Sequence, residues 1–152
     1  MVLRGTHVFT IEARLGPTVD VGPTPGGFRR VIPIVGGVVR DGLDGVVLPG
    51  GADWNTVRGD GVTELWARYE LRLADGTADG TVVSVLNTAL HPPGAESPIL
   101  THPRFEVPDG GPVWLRSGAF VGVLEPPGGR AGTETGTEPR VVIEVHRLTA
   151  GG

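Results

Sequence analysis

Residues 64–73 read Glu-Leu-Trp-Ala-Arg-Tyr-Glu-Leu-Arg-Leu, the longest regularly alternating stretch of the chain. One set of alternate positions holds apolar side chains and a tyrosine, and the other holds four charged side chains and a tryptophan. Because successive side chains of a strand point to opposite faces, this period of two predicts a β-strand. We expect its apolar face to be buried, since an exposed apolar ladder of that length would aggregate. That face consists of Leu65, Ala67, Tyr69, Leu71 and Leu73.

Strand-like patterns continue on both sides of this stretch. Residues 74–80 are rich in turn formers, and residues 81–90 fit the antiparallel partner strand. No helical period is present, so residues 1–152 are predicted to form one all-β domain. The favoured architecture is an antiparallel up-and-down β-barrel of about 8–10 strands with a central cavity, and the alternative is a β-sandwich. The other predicted strands lie at 8–14, 30–35, 38–39, 46–48, 99–107, 113–116, 119–125 and 140–148.

The composition agrees with short elements joined by many turns. The 152 residues include 26 glycines and 14 prolines, valine is the most abundant apolar residue, and lysine is absent. Residues 126–139 hold no apolar side chain larger than alanine or proline, so they cannot contribute to a core. We predict a flexible loop at 126–139.

Charge and residue inventory exclude several classes of function. A net charge of −4 gives no electrostatic footprint for nucleic acid or an anionic membrane. All 13 basic residues are arginine and cysteine is absent, so lysine Schiff bases, a P-loop lysine, thiol nucleophiles and zinc–thiolate sites are excluded. No apolar stretch has the length of a signal peptide or a membrane span. We therefore predict a cytoplasmic protein that binds neither nucleic acid nor membrane.

No metal or nucleotide cofactor is predicted. The four histidines show no His-x-His or His-Glu-x-x-His spacing. The chain also lacks a Gly-x-Ser-x-Gly elbow, a phosphate-binding loop and a dinucleotide fingerprint.

Two segments carry side chains suited to chemistry. Residues 48–55, Leu-Pro-Gly-Gly-Ala-Asp-Trp-Asn, either form a tight turn or bring Asp53 over a cavity at a barrel mouth. The charged face of residues 64–73 is either a solvated outer face or a lumen wall, on which Glu64 and Arg68 would lie about 13 Å apart.

We predict Asp53, Glu64 and Arg68 as catalytic residues. In this hypothesis Asp53 or Glu64 moves a proton, and Arg68 stabilises negative charge that develops on a substrate oxygen. His102 is either a general base or an exposed loop histidine. The predicted substrate-binding residues are Trp54, Trp66, Tyr69, Asn87, Arg30 and His102.

Five segments, taken in order, resemble a family known as DUF3237 or UPF0311. They begin Gly-Phe-Arg-Arg-Val-Ile-Pro-Ile-Val-Gly-Gly at 27–37 and include Glu-Leu-Trp-Ala-Arg-Tyr at 64–69; the full set is 27–37, 48–54, 60–69, 103–106 and 114–122. The resemblance implies an antiparallel β-barrel and implies no particular reaction. Trp66 stands where the family usually has aspartate, and Leu86 where it tends to have arginine. If these two positions face the cavity, the pocket is more apolar than in related proteins.

Two functions fit these observations. The favoured one is a cofactor-independent enzyme, of the cyclase, isomerase or lyase type, acting on a small organic molecule in the barrel cavity. The alternative is a non-catalytic binding or carrier barrel, and a homo-oligomer is compatible with either. Two titratable groups within about 5 Å of each other in the cavity would favour the enzyme, because binding alone does not need them.

Overall fold

The computed structural model describes residues 1–96, 98–127 and 139–152, and these are almost entirely β-strand. Most of the loop predicted at 126–139 therefore lies outside the described residues. The elements are β1 (Val2–Leu15), β2 (Val19–Thr24), β3 (Gly27–Arg40), β4 (Gly45–Val47), β5 (Gly51–Val57), β6 (Thr63–Leu73), β7 (Thr81–His91), β8 (Ile99–Glu106), a 3₁₀ helix (Val113–Arg116), β9 (Ala119–Glu125) and β10 (Arg140–Gly151).

Eight strands close into an antiparallel barrel. From β6 to β10 each strand pairs with the next one along the chain, β10 pairs with β1, and β1 pairs with β3. β5 completes the circle by pairing with both β3 and β6, while β2 and β4 are two extra strands along β3. The predicted antiparallel β-barrel is confirmed.

β3 changes partner at the seam that closes the barrel. It pairs with β5 as far as Ile34 and with β1 from Ile34 to Arg40. Gly37 lies opposite Ala13 at this seam and has a φ of +145°. A Cβ atom at position 37 would overlap the backbone carbonyl oxygen of Glu12, so only glycine lets the two strands approach this closely.

Aromatic rings fill one end of the barrel. The ring of Phe105 lies 5.8 Å from that of Phe9 and 5.4 Å from that of Phe120, between centroids. Trp114, in the 3₁₀ helix, lies 6.4 Å from both Phe9 and Phe120. Towards the opposite end the same strands place smaller side chains on the inner face, such as Ala13, and a cavity remains there.

The apolar face of β6 points into the barrel. Tyr69, Leu71 and Leu73 are buried in the core, whereas Leu65 and Ala67 are partly buried and line the cavity. No helix among the described residues is long and apolar enough to cross a membrane.

Four parts of the strand assignment need correction. Residues 30–35 and 38–39, predicted as two strands, belong to the single strand β3, because Gly36 and Gly37 continue the strand instead of ending it. Residues 113–116 form a 3₁₀ helix rather than a strand, because the prolines and glycines at 108–112 turn the chain and its apolar side chains pack onto the barrel end. β2 was not predicted. Within residues 48–55, expected to form a tight turn or a loop at the barrel mouth, the turn is confined to 49–50, and β5 begins at Gly51 because only Gly50 of the Gly-Gly pair has a positive φ.

Candidate functional site

The open end of the barrel contains a cavity of about 430 Å³. This volume lies within the roughly 300–1,000 Å³ typical of small-molecule sites. Most of its wall is aliphatic, with Ile32 and Ile143 among the lining residues. Its polar lining includes Arg30, Asp53, Asn55, Tyr69, Asn87 and Thr101.

The strand register places Asp53 and Asn87 at the same depth in the cavity. Ile32 on β3 pairs with Asp53 on β5, Asp53 with Ala67 on β6, Ala67 with Asn87 on β7, and Asn87 with Pro103 on β8. Directly paired residues of an antiparallel sheet point to the same face. Asp53 and Asn87 therefore flank Ala67, whose side chain is a single methyl group.

Asp53 is held by two hydrogen-bond donors. The Trp66 backbone N–H donates to Asp53 Oδ1 at 2.8 Å, and Asn55 Nδ2 donates to Asp53 Oδ2 at 3.2 Å. Arg30 Nε in turn donates to Asn55 Oδ1 at 3.0 Å, which links the guanidinium to the carboxylate through one amide. Burial raises the pKa of Asp53 above its ordinary value, and these hydrogen bonds and the charges of Arg30 and Arg29 oppose that rise only in part.

A local interruption of the sheet brings the Asp53 carboxylate to the Trp66 N–H. The β5–β6 ladder is paired at Asp53 with Ala67 and again at Thr56 with Glu64, with no pairing between those points. Within the gap the carboxylate, rather than a backbone carbonyl, accepts the hydrogen bond from Trp66. The Asp53 side chain is thus held by the backbone N–H of Trp66. Because this donor belongs to the backbone, the orientation of Asp53 does not depend on the rotamer of any side chain on β6.

Three buried polar atoms of the cavity wall have no hydrogen-bond partner among the described residues: Tyr69 Oη, Asn87 Oδ1 and Thr101 Oγ1. Their residues are 2%, 4% and 1% exposed. A buried polar atom without a partner destabilises a fold by about 1–3 kcal/mol. Burial also raises the pKa of Tyr69, so its hydroxyl stays protonated and can donate. All three atoms are enclosed by surrounding protein atoms, although their residues belong to the cavity wall.

We expect Thr101→Val to raise the free energy of unfolding by about 1 kcal/mol, because valine keeps the shape and removes an unpartnered hydroxyl. The corresponding rise in Tm is about 2–4 °C, measured by differential scanning calorimetry. Thr149→Val, at an exposed position of β10, is the matched control and should change stability by less than about 0.5 kcal/mol. Destabilisation by Thr101→Val would contradict the assignment of Thr101 Oγ1 as unpartnered.

The structure separates the three predicted catalytic residues. Asp53 lies in the cavity, but Glu64 and Arg68 lie on the outer face of the barrel. Glu64 accepts a hydrogen bond from Arg58 at 3.3 Å, and Arg68 pairs with Glu106 at 2.7 Å. The prediction that all three share one pocket is wrong, because the inward direction of Leu65 and Tyr69 forces the alternate positions of β6 outward.

The predicted binding residues divide in the same way. Arg30, Tyr69 and Asn87 line the cavity. Trp54, Trp66 and His102 instead border a groove of about 820 Å³ on the outer face, together with Arg29 and Glu64.

The outer groove displays its two tryptophans side by side. Their rings meet edge to face at a centroid distance of 5.8 Å, and Trp54 and Trp66 are 38% and 45% exposed. Trp66 and Leu86, the two departures from the family pattern, do not line the cavity, so they do not make it more apolar.

Asn55 and Thr101 are cavity residues that the sequence reasoning missed. Both follow from alternation: Asn55 is two positions from Asp53 on β5, and Thr101 is next to the outward-facing His102 on β8. Within residues 1–96, 98–127 and 139–152, no group of three or more His, Cys, Asp or Glu side chains could hold a metal ion.

Comparison with known proteins identifies relatives along the whole chain. A UPF0311 protein of Bradyrhizobium diazoefficiens is 36% identical over 157 residues, which cover 93% of this chain and 94% of that protein. The crystal structure of a conserved protein of unknown function from Rhodopseudomonas palustris is similar with a TM-score of 0.78 and 34% identity, covering 98% of this chain and 99% of that one.

A more distant likeness concerns the fold alone. The crystal structure of an enzyme from Penicillium herquei has a TM-score of 0.69 and 18% identity, covering 97% of this chain and 94% of that one. The sequence profile of the family described as "Protein of unknown function (DUF3237)" matches residues 4–148. The chain therefore belongs to the DUF3237 family, whose curated relatives carry the name UPF0311.

Proposed function

We propose that this protein is a cofactor-independent enzyme of the cyclase, isomerase or lyase type, which moves a proton on a small organic molecule held in the barrel cavity. The observation that carries the proposal is the placement of Asp53, a carboxylate of raised pKa, in a largely aliphatic cavity beside polar atoms without protein partners. Perturbed titratable groups in such cavities are characteristic of catalytic sites.

Asp53 is the proposed general base. Asp53 accepts both of its hydrogen bonds, and these bonds stabilise the ionised carboxylate. Burial has the opposite and larger effect, and makes the carboxylate more basic than one in water. A base whose pKa lies closer to the working pH is more effective in proton transfer.

Arg30 takes the role that the sequence suggested for Arg68. Among the described residues that line the cavity, Arg30 is the one arginine. Its hydrogen bond to Asn55 holds the guanidinium near Asp53. A fixed positive charge in apolar surroundings stabilises negative charge that develops on a substrate oxygen when a proton is removed.

A non-catalytic binding or carrier barrel is the second candidate function. It is favoured by the position of Glu64, which leaves Asp53 as the one carboxylate in the described cavity lining. A single carboxylate must both remove and return the proton, or share that work with Tyr69 or His91, which also line the cavity. The enzyme of Penicillium herquei shares the fold at 18% identity, so the fold is compatible with the catalytic candidate without favouring it.

We expect protein purified without denaturation to retain a small organic molecule, seen by native mass spectrometry and lost on denaturation. Asn87→Leu, which removes a polar group from the cavity, should reduce the retained fraction. Glu64→Gln, on the outer face, is the control and should retain as much as the wild type. Equal retention by both variants would place the molecule outside the cavity, and no retention after exposure to cell extract would contradict both candidate functions.

A further inference from the structure

The strand register makes neighbours of three polar side chains on the inner face of the barrel. Arg30 on β3 is paired directly with Asn55 on β5, and Asp53 lies two residues before Asn55 on the same strand. Directly paired residues, and residues two apart along a strand, point to the same face. The buried amide of Asn55 therefore lies between the guanidinium of Arg30 and the carboxyl group of Asp53.

The two partners of the Asn55 amide determine which of its ends faces Asp53. Arg30 Nε donates to Asn55 Oδ1 at 3.0 Å, and Asn55 Nδ2 donates to Asp53 Oδ2 at 3.2 Å. A guanidinium has only donors, so it can bond to the oxygen end of the amide and not to the nitrogen end. Turning the amide by 180° would place its N–H₂ group against the N–H of Arg30. That turn would lose a charge-assisted hydrogen bond.

An amide that could turn freely would stabilise both protonation states of Asp53. It would donate from Nδ2 to the ionised carboxylate and accept at Oδ1 from the protonated carboxyl group. The hydrogen bond from Arg30 removes the second possibility, because Oδ1 is directed to the guanidinium. An amide held in this way stabilises only the ionised form of Asp53.

The second partner of Asp53 is also a group that can only donate. Asp53 Oδ1 accepts a hydrogen bond from the backbone N–H of Trp66 at 2.8 Å. When Asp53 binds a proton, its new O–H group needs an acceptor, and neither the Trp66 N–H nor the Asn55 N–H₂ can be one. Asp53 is partly exposed and lines the cavity, so a molecule in the cavity can be that acceptor.

We propose that Arg30 holds the Asn55 amide in the orientation that donates to Asp53, so that a proton taken up by Asp53 is directed to the cavity and not to Asn55. Arg30 and Asn55 are then positioning residues for the proposed base. The inference rests on the proposed function, because it explains how one carboxyl group can both take a proton and return it. The proton leaves the bound molecule for an Asp53 oxygen, the electron pair stays on that molecule, and the same proton or an exchanged one returns.

Four charged or titratable groups lie near Asp53. Arg30 on β3, Tyr69 on β6 and His91 on β7 line the cavity with it, and Arg29 acts on it by charge. Among the described residues, Arg30 is the one of these four that has a hydrogen bond to Asn55. The other three are kept in every variant of the test, so differences between variants come from Arg30 and Asn55.

Carbon-13 NMR of the full chain tests the fixed orientation of the amide without a ligand. The pKa of Asp53 is read from the pH titration of its carboxyl signal, which is identified by its absence from Asp53→Asn. Asn55→Leu should raise this pKa, because the ionised form loses a donor. In the Arg30→Met background, Asn55→Leu should raise it by less than about half as much, because the freed amide stabilises both forms.

Asn87→Leu, the same change at the other asparagine of the cavity wall, is the matched control. It should leave the pKa of Asp53 unchanged in both backgrounds, because no described hydrogen bond joins Asn87 to Asp53. If circular dichroism shows that Asn55→Leu does not fold, Asn55→Val removes the amide with a residue suited to strands.

Two results would overturn the inference. An equal rise in the pKa of Asp53 in both backgrounds would show that Arg30 acts on Asp53 by its charge alone. Absence of a rise in the wild-type background would show that the amide turns freely even when Arg30 is present. Deuterium exchange into a retained molecule tests the proposed enzyme separately, and failure to exchange would contradict that function while leaving the fixed amide established by NMR.

Discussion

Alanine at position 37 should lower the free energy of unfolding by roughly 3–5 kcal/mol. Gly37 has a φ of +145° and lies at the β1–β3 seam, where a Cβ atom would overlap the carbonyl oxygen of Glu12. Backbone atoms cannot turn aside as a flexible side chain can. The two strands must separate, and their separation opens the barrel.

Urea denaturation and the thermal midpoint measure this effect, and a Tm decrease of about 10 °C is expected for a chain of this size. Gly59→Ala is the matched control, because Gly59 is exposed and a Cβ atom there meets nothing within 4 Å. If Gly37→Ala were as stable as Gly59→Ala, the seam would not have the close backbone approach described here.

Replacing Asp53 by asparagine should slow proton transfer by roughly 10²–10⁴-fold while the barrel stays folded. The measurement uses the molecule retained by the protein, incubated with enzyme in D₂O and returned to H₂O. An enzyme that exchanges a carbon-bound proton with solvent leaves deuterium at that carbon, detected by mass spectrometry. The wild type should incorporate it, and Asp53→Asn should not do so at a comparable rate.

The matched controls for Asp53→Asn are Glu64→Gln and Arg68→Met, which alter exposed ion pairs of the outer face. Such pairs contribute about 0–1 kcal/mol, so both variants should fold and exchange deuterium at the wild-type rate. Exchange that persists in Asp53→Asn would exclude Asp53 as the base. A wild type that returns the molecule without deuterium would favour the carrier function.

The pH dependence of rate and stability should have opposite signs. Because the pKa of Asp53 is higher in the folded than in the unfolded chain, the folded state binds more protons between the two values. Stability relative to Asp53→Asn therefore increases as the pH falls through the folded pKa towards the unfolded one. The rate decreases over the same interval, because a general base must be ionised. For the same reason, Asp53→Asn should not lower the melting temperature at neutral pH.

The strands that alternate strongly could be predicted from the sequence, and those with unusual backbone could not. β6 and β7 follow from a period of two across 64–73 and 81–90. β5 escaped prediction because Gly50-Gly51 resembles a turn, whereas its backbone continues into a strand from Gly51. The 3₁₀ helix at Val113–Arg116 is too short to show a helical period.

The candidate site could be predicted only in part, because the sequence does not show which face of each strand points into the barrel. The alternation of β6 groups Glu64 with Arg68, and Leu65 with Tyr69, but it does not say which set faces the lumen. Packing decided this, because burying the charged set would cost more free energy than the ion pairs recover. Asp53 lies in the cavity because it is on β5, a strand that was not predicted. Its hydrogen bond from the Trp66 N–H depends on a gap in sheet pairing that no sequence period reveals.

The aromatic end of the barrel has a consequence for how such a protein can change over generations. Rings from β1, β8, β9 and the 3₁₀ helix hold that end together, whereas Ala67 and Asp53 lie towards the other end of the strands. Asn87 lines the cavity and is not part of the hydrophobic cluster that contains these rings, so we expect its substitution to leave their packing in place. Under the proposed function, a lineage can change its ligand through inherited substitutions at such polar positions of the cavity, and directed evolution of new ligands can begin there.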